Sequence, residues 1–204
     1  MEAFRDEIEA DELFAEVDSL LKGIKEGALR TKHIVAGLKN FSRMDEEDFM
    51  MADVHEGLDS TLVLLQNRLK NRIQVEKKYA EIPRISCLPG KLNQVFMNIL
   101  VNAIQAMEEG GTITLKTESI MEGEIASHVQ IHISDTGQGI PKDLVNRIFE
   151  PFYTTKDVGK GTGLGLSISY GIVQQHNGEL EVESETGKGT TFTITLPVTQ
   201  DKDD

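Results

Sequence analysis

Apolar or small residues recur at alternating steps of four and three along the first segment of the chain: Leu13, Val17, Leu20, Ile24, Gly27, Thr31, Ile34, Leu38 and Phe41. This spacing predicts one long helix over residues 9–43, with a heptad seam of about four repeats interrupted only at Gly27 and Thr31. Lys22, Lys25, Glu26, Arg30, Lys32 and Lys39 fall on other faces. Such a seam either packs back on its own domain or pairs with a second copy. Dimerisation is favoured, because a helix of this length has few ways to bury the stripe on so small a domain. The acidic stretch MDEEDFMMAD, residues 44–53, then ends the helix and reads as a connector.

Beyond residue 53 the period changes repeatedly. Val54, Leu58, Leu62, Leu65 and Leu69 predict a helix over 54–71, and IQVEKKY (73–79) alternates as a strand does. A second helix is expected over 89–108, opened by Pro89 and stopped by Gly110 and Gly111. Its broad apolar face runs Leu92, Val95, Phe96, Ile99, Leu100, Ala103, Ile104 and Met107. TITLKTESI (112–120) and HVQIHISD (128–135) read as strands joined by a short turn around Gly123. Short helices near 141–148 and 164–176 precede a closing hairpin of ELEVES (179–184) and TTFTITLP (190–197). This order predicts an α/β (α+β) two-layer sandwich, a mixed sheet with helices on one face, preceded by the long N-terminal helix.

Charge narrows the partners. The chain carries 21 Lys plus Arg against 34 Asp plus Glu, a net −13, which repels phosphate backbones and anionic lipid and argues against nucleic acid. The first 60 residues hold 16 acidic and 7 basic side chains, −9 of that total, so the remainder is close to neutral at −4. No apolar run reaches the ~20 residues a membrane span needs. The acidic start does not read as a signal peptide, so none is expected here, and the lone Cys87 excludes an intramolecular disulfide or a multi-cysteine metal site. A cytoplasmic setting is expected, either free or as the cytosolic part of a longer membrane-bound sensor.

Glycine is unevenly spread: eight of the 18 fall at Gly137 and Gly139, at Gly159, Gly161, Gly163 and Gly165, and at Gly187 and Gly189. In GKGTGLGLSIS, alternating glycines precede an amphipathic helix, so close backbone approach and a helix N-terminus offer N–H donors to an anion, with Lys156 and Lys160 beside them. A ligand-free flexible loop is the alternative. The pattern matches neither GxxxxGK[ST] nor a strand-linked GxGxxG, so a nucleotide site here is of another kind. In DTGQGI (135–140), Asp135 stands at the mouth of a strand, either as a turn former or as an acceptor for an exocyclic amine. In NILVNAIQA, Asn98 and Asn102 lie four apart on one helix face. Two amides there need partners, either nearby backbone or a hydrated Mg²⁺ carrying phosphates.

The asparagine helix, DTGQGI, FEPFYTTK, GKGTGLGL and GKGTTFTITLP resemble, in order, the N box, first glycine box, F box, second glycine box and third glycine box of the sensor histidine kinases. The resemblance covers residues 53–198 and implies their Bergerat ATP-binding fold. That fold is shared with type II topoisomerases, a heat-shock chaperone and mismatch-repair clamps. It further implies that residues 1–45 are a partial, second dimerisation helix, 46–52 a linker and 199–204 a tail.

Carried over by position, the resemblance implies that Asp135 contacts the adenine amine and that Gly137, Gly139 and Ile140 shape that pocket. Asn102 would hold Mg²⁺, with Asn98 nearby and Gln105 a turn on. Phe149, Phe152 and Lys156 would begin a lid over the nucleotide, and Gly161, Thr162, Gly163, Leu164, Gly165 and Leu166 would close it onto the phosphates. Thr190 and Thr191 would sit behind the adenine. ATP-hydrolysing relatives carry a Glu at the position of Asn98 as general base, and an amide takes no proton at neutral pH. That favours transfer to a separate nucleophile over an ATPase or clamp, and the intact boxes argue against the other alternative, a nucleotide-binding interaction module without chemistry.

A phosphoacceptor histidine in an H-E-x-x-x-P setting is missing. His33 lies in what resembles the second dimerisation helix. His55 opens a helix without the Pro, His128 and His132 read as sheet surface, and His176 as a cation at a helix C-terminus. The expected activity is that of a protein-histidine kinase catalytic fragment that binds Mg·ATP and does not autophosphorylate alone. Its partners would be the histidine-bearing helix of the longer kinase and a response regulator, with a homodimer through the N-terminal helix.

Overall fold

The computed structural model describes residues 48–70, 72–154 and 163–200, together with Val17, Leu20, Leu21 and Ile24. Those four residues are helical and exposed, and Val17, Leu20 and Ile24 are seam positions. The rest of the predicted 9–43 helix lies outside the described residues.

Asp53 caps the first helix, its Oδ1 accepting the N–H of His55 at 2.8 Å, so α1 runs Val54–Leu69. β2 (Ile73–Tyr79) follows, and Pro89 at the first turn starts α2, Pro89–Ala106. Gly110, at φ 102°, lets the chain reverse out of α2, its N–H donating to the carbonyl of Met107 at 3.2 Å. β4 (Gly111–Glu122) and β5 (Ile125–Asp135) form a hairpin, with Gly123 in the turn at φ 67°. After α3 (Lys142–Val145) and α4 (Gly165–Gln175), β6 (Glu179–Glu185) and β7 (Gly189–Pro197) close the fold.

The five-stranded sheet has the order β2–β4–β5–β7–β6, with β2 and β4 parallel and the other pairs antiparallel. Alternation along the strands decides the layers. Ile113 and Leu115 of β4, Val129, Ile131 and Ile133 of β5, and Phe192, Ile194 and Leu196 of β7 point to one face. There they form one buried cluster with Val95, Phe96, Ile99 and Leu100 of α2. The other face is polar: Nε2 of His132 lies 2.8 Å from Glu118 and its Nδ1 3.1 Å from Thr193, and His128, four residues earlier on the same strand, lies on the same face with its Nδ1 3.0 Å from Ser127 Oγ, so both are sheet surface as expected. Lys116 and then His132 hold the Glu118 carboxyl below the usual range.

Three details depart from the periodicity. Residues 50–52, inside the expected connector, form β1 and pair antiparallel with β3 (Ile85–Cys87). Both strands have three residues, too few for a period of two to register. The helix expected over 141–148 is four residues long and continues as turns closed by bonds such as Arg147 N–H to the carbonyl of Leu144.

His176 is the third. It is fully buried, its Nδ1–H donates to the carbonyl of Ile172 at 2.7 Å, and its Nε2 accepts the N–H of Leu88 at 2.9 Å. Burial pushes the imidazole below its usual range, with the Ile172 bond opposing. It is therefore a neutral staple between the end of α4 and the start of α2, and not a cation against the helix dipole. Protonating Nε2 would set N–H against N–H, and the unfolded chain takes that proton more readily. Stability is thus full above the ordinary imidazole value of about 6.5 and lost as pH falls below it, by at most about 1.4 kcal/mol per pH unit. Urea midpoints at pH 7.5, 6.5 and 5.5 are expected to fall more steeply for the native chain than for His176→Gln; parallel slopes would contradict the assignment.

Candidate functional site

One broad cleft of about 1450 Å³ opens between α2, the end of β5, the start of β7 and the start of α4. Asn98, Val101, Asn102 and Gln105 line it from α2, as their three- and four-residue spacing requires. The Nδ2 of Asn98 donates to the carbonyl of Gly165 at 2.9 Å and to Ser169 Oγ at 3.2 Å, so α2 and α4 are joined at this end. The N-terminus of α4 opens onto the same space at Gly163, Gly165 and Leu166, where backbone N–H groups suit an anion.

Asp135 forms the opposite end. It is 8% exposed and lines the cleft, its Oδ1 accepting the N–H of Gly137 at 2.8 Å. Burial raises its pKa, and the N–H groups of Gly137 and Thr190 pull the other way. The DTGQGI loop is held from three sides. Gln138 N–H donates to the carbonyl of Ala106 and Gly187 N–H to the carbonyl of Gln138, while Ile140 N–H donates to Ser184 Oγ at 2.8 Å. Gly139 (φ 70°) lies against the backbone of Glu185, where a Cβ does not fit.

Of the residues singled out from sequence, Asn98, Asn102, Gln105, Asp135, Gly139, Ile140, Gly163, Gly165, Leu166 and Thr190 line this one cleft. Gly137 supports Asp135 from behind, and Leu164 caps α4, its carbonyl accepting the N–H of Ile168. Thr191 does not join them: alternation turns it to the outer face, where its hydroxyl meets Ser134 Oγ at 2.9 Å. Phe152 is 74% exposed at φ 66° and is not in the cleft wall, while Phe149 packs on Tyr170 with ring centroids 5.5 Å apart. Lys156, Gly161 and Thr162 lie outside the described residues.

Sequence reasoning missed Arg68, in the last turn of α1, and Lys70 and Arg72 just beyond it, which line the rim, and Tyr153, Thr154 and Phe192. The run RLKNR was visible as charge, but only the packing of α1 beside α2 brings it to this cleft.

Residues 87–200 match the family described as histidine kinase-, DNA gyrase B-, and HSP90-like ATPases, more than half of the chain. The chain belongs to this family. Among its curated relatives, sporulation kinase E of Bacillus subtilis strain 168 is 41% identical over 199 residues, covering 91% of this chain and 26% of that protein. Sensor kinase CckA of Brucella abortus strain 2308 is 39% identical over 188 residues, covering 87% and 20%. The chain thus spans about a fifth to a third of the length of these relatives and of sporulation kinase C.

The fold of this ATPase domain is that of histidine kinase catalytic domains. The nucleotide-free catalytic domain of ThkA superposes with a TM-score of 0.66 at 29% identity, covering 74% of this chain and 97% of that one. Full-length ShkA, solved with AMPPNP, superposes with a TM-score of 0.65 at 27% identity, covering 85% and 36%. No helix among the described residues is long and apolar enough to cross a membrane.

Proposed function

We propose that the chain is the ATP-binding catalytic portion of a sensor histidine kinase, passing the γ-phosphoryl group of ATP to a histidine on a separate dimerisation helix. The amide at Asn98 carries this reading. Both its N–H bonds are spent on Gly165 and Ser169, and it offers no base to a water. Hydrolysis therefore lacks its proton acceptor at that position, whereas transfer to an imidazole, itself a nucleophile, does not need one there.

The described histidines support an acceptor from elsewhere. His55 stacks on Tyr79 at 4.3 Å and bonds Thr117, His128 and His132 lie on the sheet's outer face, and His176 is buried. None of them lines the cleft, and His33 lies outside the described residues. Exposed Phe152, Ile168 and Tyr170, beside the start of α4, give an apolar surface on which a helix can dock. The exposed seam of Val17, Leu20 and Ile24 suits a homodimer through the N-terminal helix. ThkA has been solved with the response regulator TrrA. By analogy the next acceptor here is an aspartate on such a regulator, in the cytoplasm where ATP is held.

Mg²⁺ fits the donor set. No group of three His, Cys, Asp or Glu side chains among the described residues makes a cage for a bare ion. Asn98 and Asn102 instead offer neutral oxygens to an ion that keeps its waters and arrives with phosphates. Bound there, chiefly through Asn102, the ion would neutralise charge on the transferring phosphoryl group. Arg68 and Lys70 on the rim add positive charge near the nucleotide's path.

Incubation with γ-labelled ATP is the test. The chain alone is expected to acquire no acid-labile label, and to label an added helix pair carrying an H-E-x-x-x-P histidine. Acid-labile label on the chain itself, or phosphate release with no transfer to the added helices, would overturn the reading.

A further inference from the structure

We propose that Ser169 is a positioning residue for the phosphate end of the cleft: it fixes the side-chain amide of Asn98 so that its oxygen, and not its nitrogen, faces the ligand. The inference rests on the reading of the cleft as a nucleotide site.

Three hydrogen bonds fix the arrangement. Ser169 is fully buried on α4, and its hydroxyl donates to the carbonyl of Gly165, one turn back, at 2.9 Å. With its proton committed there, the serine oxygen presents lone pairs to Asn98, whose Nδ2 lies 3.2 Å away. The same Nδ2 donates to the Gly165 carbonyl at 2.9 Å, and that atom is an acceptor only. Two acceptors thus face one end of the amide, and that end is the NH₂ group. The flipped amide would set oxygen against both.

The other end follows. Nδ2 is committed to Gly165 and Ser169, and Oδ1 is the opposite end of the same planar amide. Asn98 lines the cleft, so Oδ1 is the end left to face it. The oxygen is the end that a hydrated cation or its waters can use. The device also ties the acceptor to the anion-binding helix start, because Gly165 is the first residue of α4. Removing the hydroxyl leaves one N–H facing a methyl group and frees the amide to turn. The arrangement on α2 is then no longer preset, and the loss should be felt by the cation-bearing ligand first.

The test separates this role from a structural one. ATP affinity is measured by titration calorimetry with Mg²⁺ and with EDTA, for the native chain, Ser169→Ala and Ser169→Thr. Ser169→Ala is expected to bind Mg·ATP about 3- to 10-fold more weakly, with metal-free ATP binding unchanged, and Thr, which keeps the hydroxyl, to restore most of the difference. Equal losses with and without Mg²⁺, or no loss at all, would overturn the inference while leaving the nucleotide site standing. Failure of the native chain to bind ATP would overturn the parent reading instead. One measurement needs no variant: in the native chain the Asn98 side-chain NH₂ protons should exchange with water far more slowly than those of an exposed asparagine. Exchange at the exposed rate would contradict the network.

Discussion

Asp135→Asn is expected to weaken adenine-nucleotide binding by at least about a hundredfold while leaving the fold in place. Oδ1 of Asp135 already accepts the N–H of Gly137 at 2.8 Å. An asparagine keeps its oxygen on that N–H and turns its NH₂ towards the cleft, where the exocyclic amine of adenine would be met donor to donor. Stability should change by no more than about 1 kcal/mol, because two effects offset. Burial raises the Asp135 pKa, so the ionised group is a cost to the fold that the amide removes. Against that, the amide gives up the stronger bonds that a carboxylate makes to the N–H groups of Gly137 and Thr190. Calorimetric titration with ATP and a urea melt of the same preparation check both halves. Unchanged ATP affinity would remove Asp135 from the site.

Gly189→Ala should cost about 3 kcal/mol or more, and nucleotide binding with it. Gly189 sits at φ 114°, and an added Cβ runs into the carbonyl of Asp135 and meets Cα of Thr136 at 3.0 Å. Its neighbour Thr190 pairs with Asp135 across the β5–β7 ladder, so relief requires β7 to move off the strand end that aims the carboxylate. Gly123→Ala is the control. Gly123 also has positive φ, 67°, but nothing lies within 4 Å of a Cβ there, so only the backbone strain of about 1 kcal/mol is lost. Similar urea midpoints for the two variants would show that the close approach at Gly189 does not matter.

These two positions also mark how far the sequence could be read. The element order was legible wherever the pattern ran long. The apolar face of α2 and the alternation of β4, β5 and β7 predicted the layers, because a helix or a long strand repeats its period several times. β1 and β3 were not legible, since three residues state no period and their pairing joins segments more than thirty residues apart. The glycine clusters marked the loops, but only the structure gives each its reason. Gly139 and Gly189 exist for close backbone approach, whereas a Cβ at Gly187 would meet nothing. Thr190 and Thr191 illustrate the limit most simply. They are adjacent in one motif, and the pleat sends the first into the cleft and the second to the outer face.

By itself the sequence determined the family, the order of the long strands and helices, and the set of boxes from which a nucleotide site is drawn, because these depend on residue type and local period. Tertiary structure decided the rest. It made His176 a neutral staple where a helix end suggested a cation, since burial opposes the charged form. It brought Arg68, Lys70 and Arg72 to the rim by packing α1 beside α2. It also joined Asn98 to Ser169, 71 residues away, and so chose which end of an amide is left for the cleft. Such outcomes are set by which distant groups share a dry space, and no local pattern records that.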